Sequence, residues 1–157
     1  IKKALKALPL LNRNLEDTEA RKLISEASLL SGISISQTRT AICHSISYPL
    51  TAKYGIEHGI ACAFTMLAVA KKVNEYNKNF FSDLVDEIDI KSSEDLILQI
   101  KNIVSILNVK DNVMDKISNK HQVYKLINEM ITKSRSDNFI IEVNHNLVKS
   151  ILDESFK

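Results

Sequence analysis

A chain of 157 residues with 45% hydrophobic residues is long enough for one domain with a real core. Its net charge of +2 has lysines and acids interspersed, with no basic stripe carrying stacking aromatics, which argues against nucleic acid as a partner. No run approaches the roughly 18 apolar residues of a membrane span.

Only three glycines and two prolines punctuate a sequence dominated by Leu, Ile, Lys, Glu, Asn and Ser, so the expected fold is all-α, a helical bundle with short turns. The first helix is expected to end between Pro9 and Asn14, where proline disfavours helix before it and two asparagines supply turn chemistry. Asp17 begins a second helix with Leu23, Ile24, Ala27 and Leu30 inward and Gly32 as its C-terminal cap. Ser34 or Ser36 caps the next, which runs through His44 towards Tyr48. Charge is nearly absent from Ala41 to Ala52, the mark of a helix buried on most faces.

A break between Pro49 and Gly55 leads to a second central helix, His58 to Val73, whose lysine pair Lys71 and Lys72 marks its solvated end. Amphipathic helices follow at Phe80 to Ile88, from Ser92 or Ser93 through Leu107 with Asp95 completing a capping-box pattern, and at Val113 to Ile117. Another runs from His121 to Lys133 with Val123, Leu126, Ile127, Met130 and Ile131 inward, and a last one from Asn144 to Phe156. Two cysteines, Cys43 and Cys62, are too few for a secreted disulfide framework, and free thiols fit a cytoplasmic protein. The opening IKKALKALPLL lacks the apolar core and cleavage pattern of a targeting segment. It has no initiating Met and reads as the middle of a helix, so the chain is expected to begin partway through a longer protein.

The chemistry concentrates at His44 and His58. On one unbroken helix, residues this far apart would lie about 21 Å from each other along the axis and could not share an ion. If the chain breaks between them and doubles back, the two imidazoles converge from facing walls. Neutral histidines on apolar helices suit Zn²⁺ or Fe²⁺, although a catalytic site takes three or more protein ligands. Cys62, four residues after His58, shares its face and makes a local His44, His58, Cys62 site possible on spacing alone. The alternative is a pair of core histidines satisfied by backbone carbonyls.

The stretch His44-x3-Tyr48-Pro49-Leu50-x3-Tyr54-Gly55-Ile56-x-His58-Gly59-Ile60-Ala61-Cys62-Ala63 resembles the C-terminal signature of the iron-containing (group III) alcohol dehydrogenases, which usually reads H-x3-H-P-L-G-x2-Y-x-I-P-H-G-x-A. The resemblance is dense over about 25 residues; beyond them the flanking helices match in length and pattern, up to Asn138 near a family Asn. It implies the helical domain of the dehydroquinate synthase-like superfamily, here one domain over residues 1–157, incomplete at its N-terminus. Family members hold one divalent metal, Fe²⁺ or Zn²⁺, through an Asp and a His spaced D-x3-H and through the two histidines of this signature. His44 and His58 take those last two roles.

No D-x3-H precedes His44, and no glycine-rich turn follows a strand, so the first ligand pair and the NAD(P)(H)-binding domain are expected upstream of Ile1. The resemblance therefore implies an oxidoreductase that interconverts an aldehyde and a primary alcohol, a homodimer when whole, with this fragment inactive alone.

The signature departs from the family at three positions. Tyr48 replaces a histidine that lies near substrate and nicotinamide, which makes it the candidate catalytic residue: a phenol donates a hydrogen bond or relays a proton but is not a cation at neutral pH. The competing reading is an aromatic packed on the next helix. Thr51 replaces Gly and Glu57 replaces Pro, and the SISYPLT wording resembles the branch that reduces phosphonoacetaldehyde to 2-hydroxyethylphosphonate. Arg135 suits a bidentate phosphonate or carboxylate contact, or is a surface arginine. Cys43 reads as a small core residue, His121 and His145 as solvated. The other readings are a glycerol dehydrogenase or dehydroquinate synthase-like metalloenzyme domain, and a non-catalytic helical interaction domain.

Overall fold

The computed structural model describes residues 1–157 as eleven helices without a strand. Helices α1 (Lys2–Arg13) and α2 (Thr18–Gln37) pack along each other, and Asp17 caps α2 by accepting from the Ala20 amide at 2.9 Å. Helix α1 ends at Arg13 with Asn14 as its C-cap, inside the expected Pro9 to Asn14 stretch, and Pro9 itself lies within the helix. One lost amide donor is outweighed by the burial of Ala7, with Leu8 and Leu11 half-buried beside it.

Gly32 is likewise interior to α2 rather than its cap, and Ser34 and Ser36 belong to the same helix. The helix stops where Thr38 turns extended and both its amide and its hydroxyl bond back to the Ser34 carbonyl. All residues from Ser28 to Arg39 are exposed, because no later element packs there. Leu30, expected inward, is 53% exposed.

Helix α3 (Ile42–Tyr54) starts after Ala41 without a side-chain cap and contains Pro49, which is buried. It is followed by α4 (His58–Tyr76), α5 (Ser82–Ile88), α6 (Ser93–Ile106) and α7 (Val109–Met114). The Ser92 hydroxyl caps α6 by accepting from the Asp95 amide. The single helix expected from His121 to Lys133 is two short ones, α8 (Lys120–Tyr124) and α9 (Ile127–Met130), followed by α10 (Lys133–Ser136); α11 (His145–Ser155), capped by Asn144, closes the chain.

Ile42, Ile46 and Leu50 recur every fourth residue along α3 and are buried with Val123, Ile127, Met130, Ile151 and Leu152 in the main core. Each such side chain contributes roughly 1.5–3 kcal/mol by leaving water. Lys71 of α4 reaches Glu154 of α11 at 2.7 Å. A smaller core gathers Val85, Ile88 and Leu96. Between the two lies an open apolar groove of about 820 Å³, lined by Leu5, Leu8, Cys43, Met66, Phe81 and Ile100 among others. No helix is long and apolar enough to cross a membrane.

Candidate metal centre

The break between the histidines lies at Gly55 to Glu57, starting at the last residue of the expected Pro49 to Gly55 stretch, because α3 continues through Pro49 to Tyr54. Gly55 adopts φ +64, the left-handed conformation, and its amide closes α3 on the Thr51 carbonyl at 3.0 Å. Ile56 is buried and pins the linker, while Glu57 is extended. His58 ends up beside Ser47, about 10 Å back along α3 from Tyr54. Thus the first side chain of α4 is set against the middle of α3.

An added Cβ at Gly55 would meet no atom within 4 Å, so only backbone strain opposes a side chain there. Gly55→Ala is expected to destabilise the fold by about 1 kcal/mol, measured as a lower urea midpoint.

This return path brings the imidazoles of His44 and His58 to a centroid separation of 5.3 Å. The Tyr48 ring lies 5.4 Å from that of His58 and is 44% exposed. His44, Ser47 and Tyr48 share one face of α3, being three and four residues apart. Ser47 donates its only hydroxyl proton to the His44 carbonyl at 2.8 Å, so its oxygen is left to accept from His58 Nδ1 at 3.4 Å. In the neutral ring this pairing assigns the proton to Nδ1 and leaves the lone pair on Nε2. That is the tautomer a metal ligand needs, with the kind of outer hydrogen bond that orients one.

Burial, then the neighbouring His58 and Arg135, hold the His44 pKa below the ordinary histidine range. As pH falls, His44 stays neutral after a free histidine would have charged, and its lone pair stays available. Neither ring is hydrogen-bonded to a backbone carbonyl, as a pair of core histidines would be.

Cys62, one turn along α4, places Sγ 3.7 Å from His58 Nε2, and one ligand atom from each of His44, His58 and Cys62 lies within 4.8 Å of the others. These donors, two imidazoles and a thiol, match the chemistry of a divalent ion such as Zn²⁺. Burial pushes the Cys62 thiol up, and that of Cys43 up to about 11; Cys43 faces the apolar groove instead.

Arg135 of α10 lies over the Tyr48 ring, its guanidinium carbon 4.4 Å from the centroid, and no carboxylate pairs with it. Asn138 donates to the Arg39 carbonyl at 2.7 Å and tethers the segment after α10 to the approach to α3. His121 and His145 are exposed, as expected, and Glu57 is an exposed N-cap. Sequence reasoning missed Ser47, although its spacing of three from His44 on one helix was a usable signal.

Residues 1–156 match the Fe-containing alcohol dehydrogenase family, C-terminal. Phosphonoacetaldehyde reductase of Streptomyces viridochromogenes is 40% identical over 63 residues, which is 40% of this chain and 16% of that protein. An NADPH-dependent butanol dehydrogenase of Clostridium saccharobutylicum is 28% identical over 114 residues, 68% of this chain and 29% of its own length. The chain thus spans less than a third of either relative, and no solved structure matches it. With the family's C-terminal pattern running through its whole helical bundle, this chain belongs to the Fe-containing alcohol dehydrogenase family.

Proposed function

We propose that this chain is the metal-binding helical domain of an NAD(P)H-dependent enzyme that interconverts an aldehyde and a primary alcohol, with an aldehyde carrying an anionic group, such as phosphonoacetaldehyde, as its substrate. The observation that carries the reading is the convergence of His44 and His58, fourteen residues apart in sequence, to 5.3 Å. The residues fit a divalent ion, and the nicotinamide nucleotide belongs to residues outside these 157. When bound, the ion supplies Lewis acidity at the carbonyl and the nucleotide supplies the hydride.

His44 and His58 each offer a ring nitrogen towards one point, and Ser47 holds the His58 ring in register. Tyr48, one turn after His44, presents its phenol beside them and donates the proton that turns the reduced oxygen into an alcohol. In the opposite direction the same hydroxyl accepts that proton back. Arg135, stacked on Tyr48, directs its unpaired guanidinium to the anionic end of the substrate. The relative that is 40% identical over 63 residues, a phosphonoacetaldehyde reductase, supports the anionic substrate.

The test is Arg135→Ala in the full-length enzyme, assayed with phosphonoacetaldehyde and with butanal. Loss of a charge-assisted hydrogen bond of roughly 1.5–3 kcal/mol is expected to raise KM for the phosphonate aldehyde about 10- to 100-fold. KM for butanal should stay within about twofold. Equal losses on both aldehydes would refute the anion role of Arg135.

A further inference from the structure

We propose that Cys62 is a direct metal ligand, so that this chain by itself supplies a two-nitrogen, one-sulfur donor set and favours Zn²⁺ over Fe²⁺. The inference rests on the reading of His44 and His58 as ligands and adds a donor to it. The first argument is distance. Two donors of one tetrahedral zinc ion, at ordinary Zn–S and Zn–N lengths, lie about 3.6 Å apart. Cys62 Sγ and His58 Nε2 are 3.7 Å apart.

The second argument is placement. Cys62 is four residues after His58 on α4, so both side chains leave the same face of one rigid helix, and no loop must order to bring them together. The third is the tautomer. Ser47 occupies His58 Nδ1, which leaves the nitrogen that faces the sulfur as the one carrying the lone pair.

His44 completes the set from α3, all three ligand atoms lying within 4.8 Å of one another. On coordination the Cys62 thiol releases its proton to solvent and the sulfur binds as thiolate. A thiolate shifts preference from iron towards zinc among divalent ions. Three donors leave one position of a tetrahedral ion, to be taken by an upstream ligand or by substrate.

Cobalt is the probe, because a thiolate bound to Co²⁺ gives a charge-transfer band in the near ultraviolet that imidazole ligands do not. Co²⁺ added to the 157-residue chain is expected to produce this band, unchanged in Cys43→Ser and lost in Cys62→Ser. The weaker visible bands of cobalt on two imidazoles should persist in Cys62→Ser, with circular dichroism confirming unchanged helix content. Cobalt bound with visible bands alone, a charge-transfer band that survives Cys62→Ser, or no cobalt uptake would each overturn the thiolate assignment. Visible bands that survive both His44→Ala and His58→Ala would instead overturn the histidine reading on which it rests.

Discussion

His44→Ala in the full-length enzyme is expected to lower turnover by about three orders of magnitude, together with a loss of bound metal measured by elemental analysis. The size follows from what a Lewis acid contributes, several kcal/mol of stabilisation where charge develops on the carbonyl oxygen, at 1.36 kcal/mol per decade of rate. His44 is half-buried at the start of α3 and carries no hydrogen bond to its ring, so its removal leaves no stranded partner in the fold. Thermal stability without metal should therefore change little while activity collapses. A variant with full metal content and near-normal turnover would remove His44 from the site. His58→Ala should behave the same way, and Tyr48→Phe differently: metal stays, and the rate falls only by the roughly 10²–10⁴ that a positioned proton donor contributes.

Ile46→Ala is expected to give the largest loss of stability, about 3 kcal/mol, seen as a drop in urea midpoint at unchanged slope. Ile46 is fully buried on the face of α3 that turns towards the main core, two residues from His44. Removing three carbons there costs their transfer from water plus the cavity left between α3 and its neighbours. Leu30→Ala is the control, since half of Leu30 is in water and the change should stay within about 0.5 kcal/mol. Comparable losses at both positions would mean that α2 is covered beyond Ala27.

Periodicity and capping chemistry made most of the bundle legible. Asp17, Ser92 and Asn144 cap helices where a side-chain oxygen can reach an orphan amide three residues on, a signal that depends only on local geometry. The inward positions Val123, Leu126, Ile127 and Met130 are buried as their spacing implies, although the segment is two helical turns separated by a kink. Breaker residues were less reliable. Pro9, Gly32 and Pro49 all lie inside helices, because the loss of one amide bond or a little backbone entropy is smaller than the gain from packing, or because the helix simply continues into water. Gly55 did end its helix, and it alone of these carries a positive φ.

For the site, residue identity was enough to nominate His44, His58 and Tyr48, because few side chains serve as neutral ligands or neutral proton donors and these three lie in one short stretch. Their chain order could not say how the fourteen-residue gap would close. That depended on the turn at Gly55 and on burying Ile56 in the main core, after which the His58 side chain meets Ser47. Arg135 and Cys62 were ambiguous in sequence for the same reason: a cation far along the chain and a thiol one turn from a histidine gain meaning only from what packing sets beside them. The stacking of Arg135 on Tyr48 and the 3.7 Å approach of Cys62 to His58 are products of the closed bundle rather than of chain order.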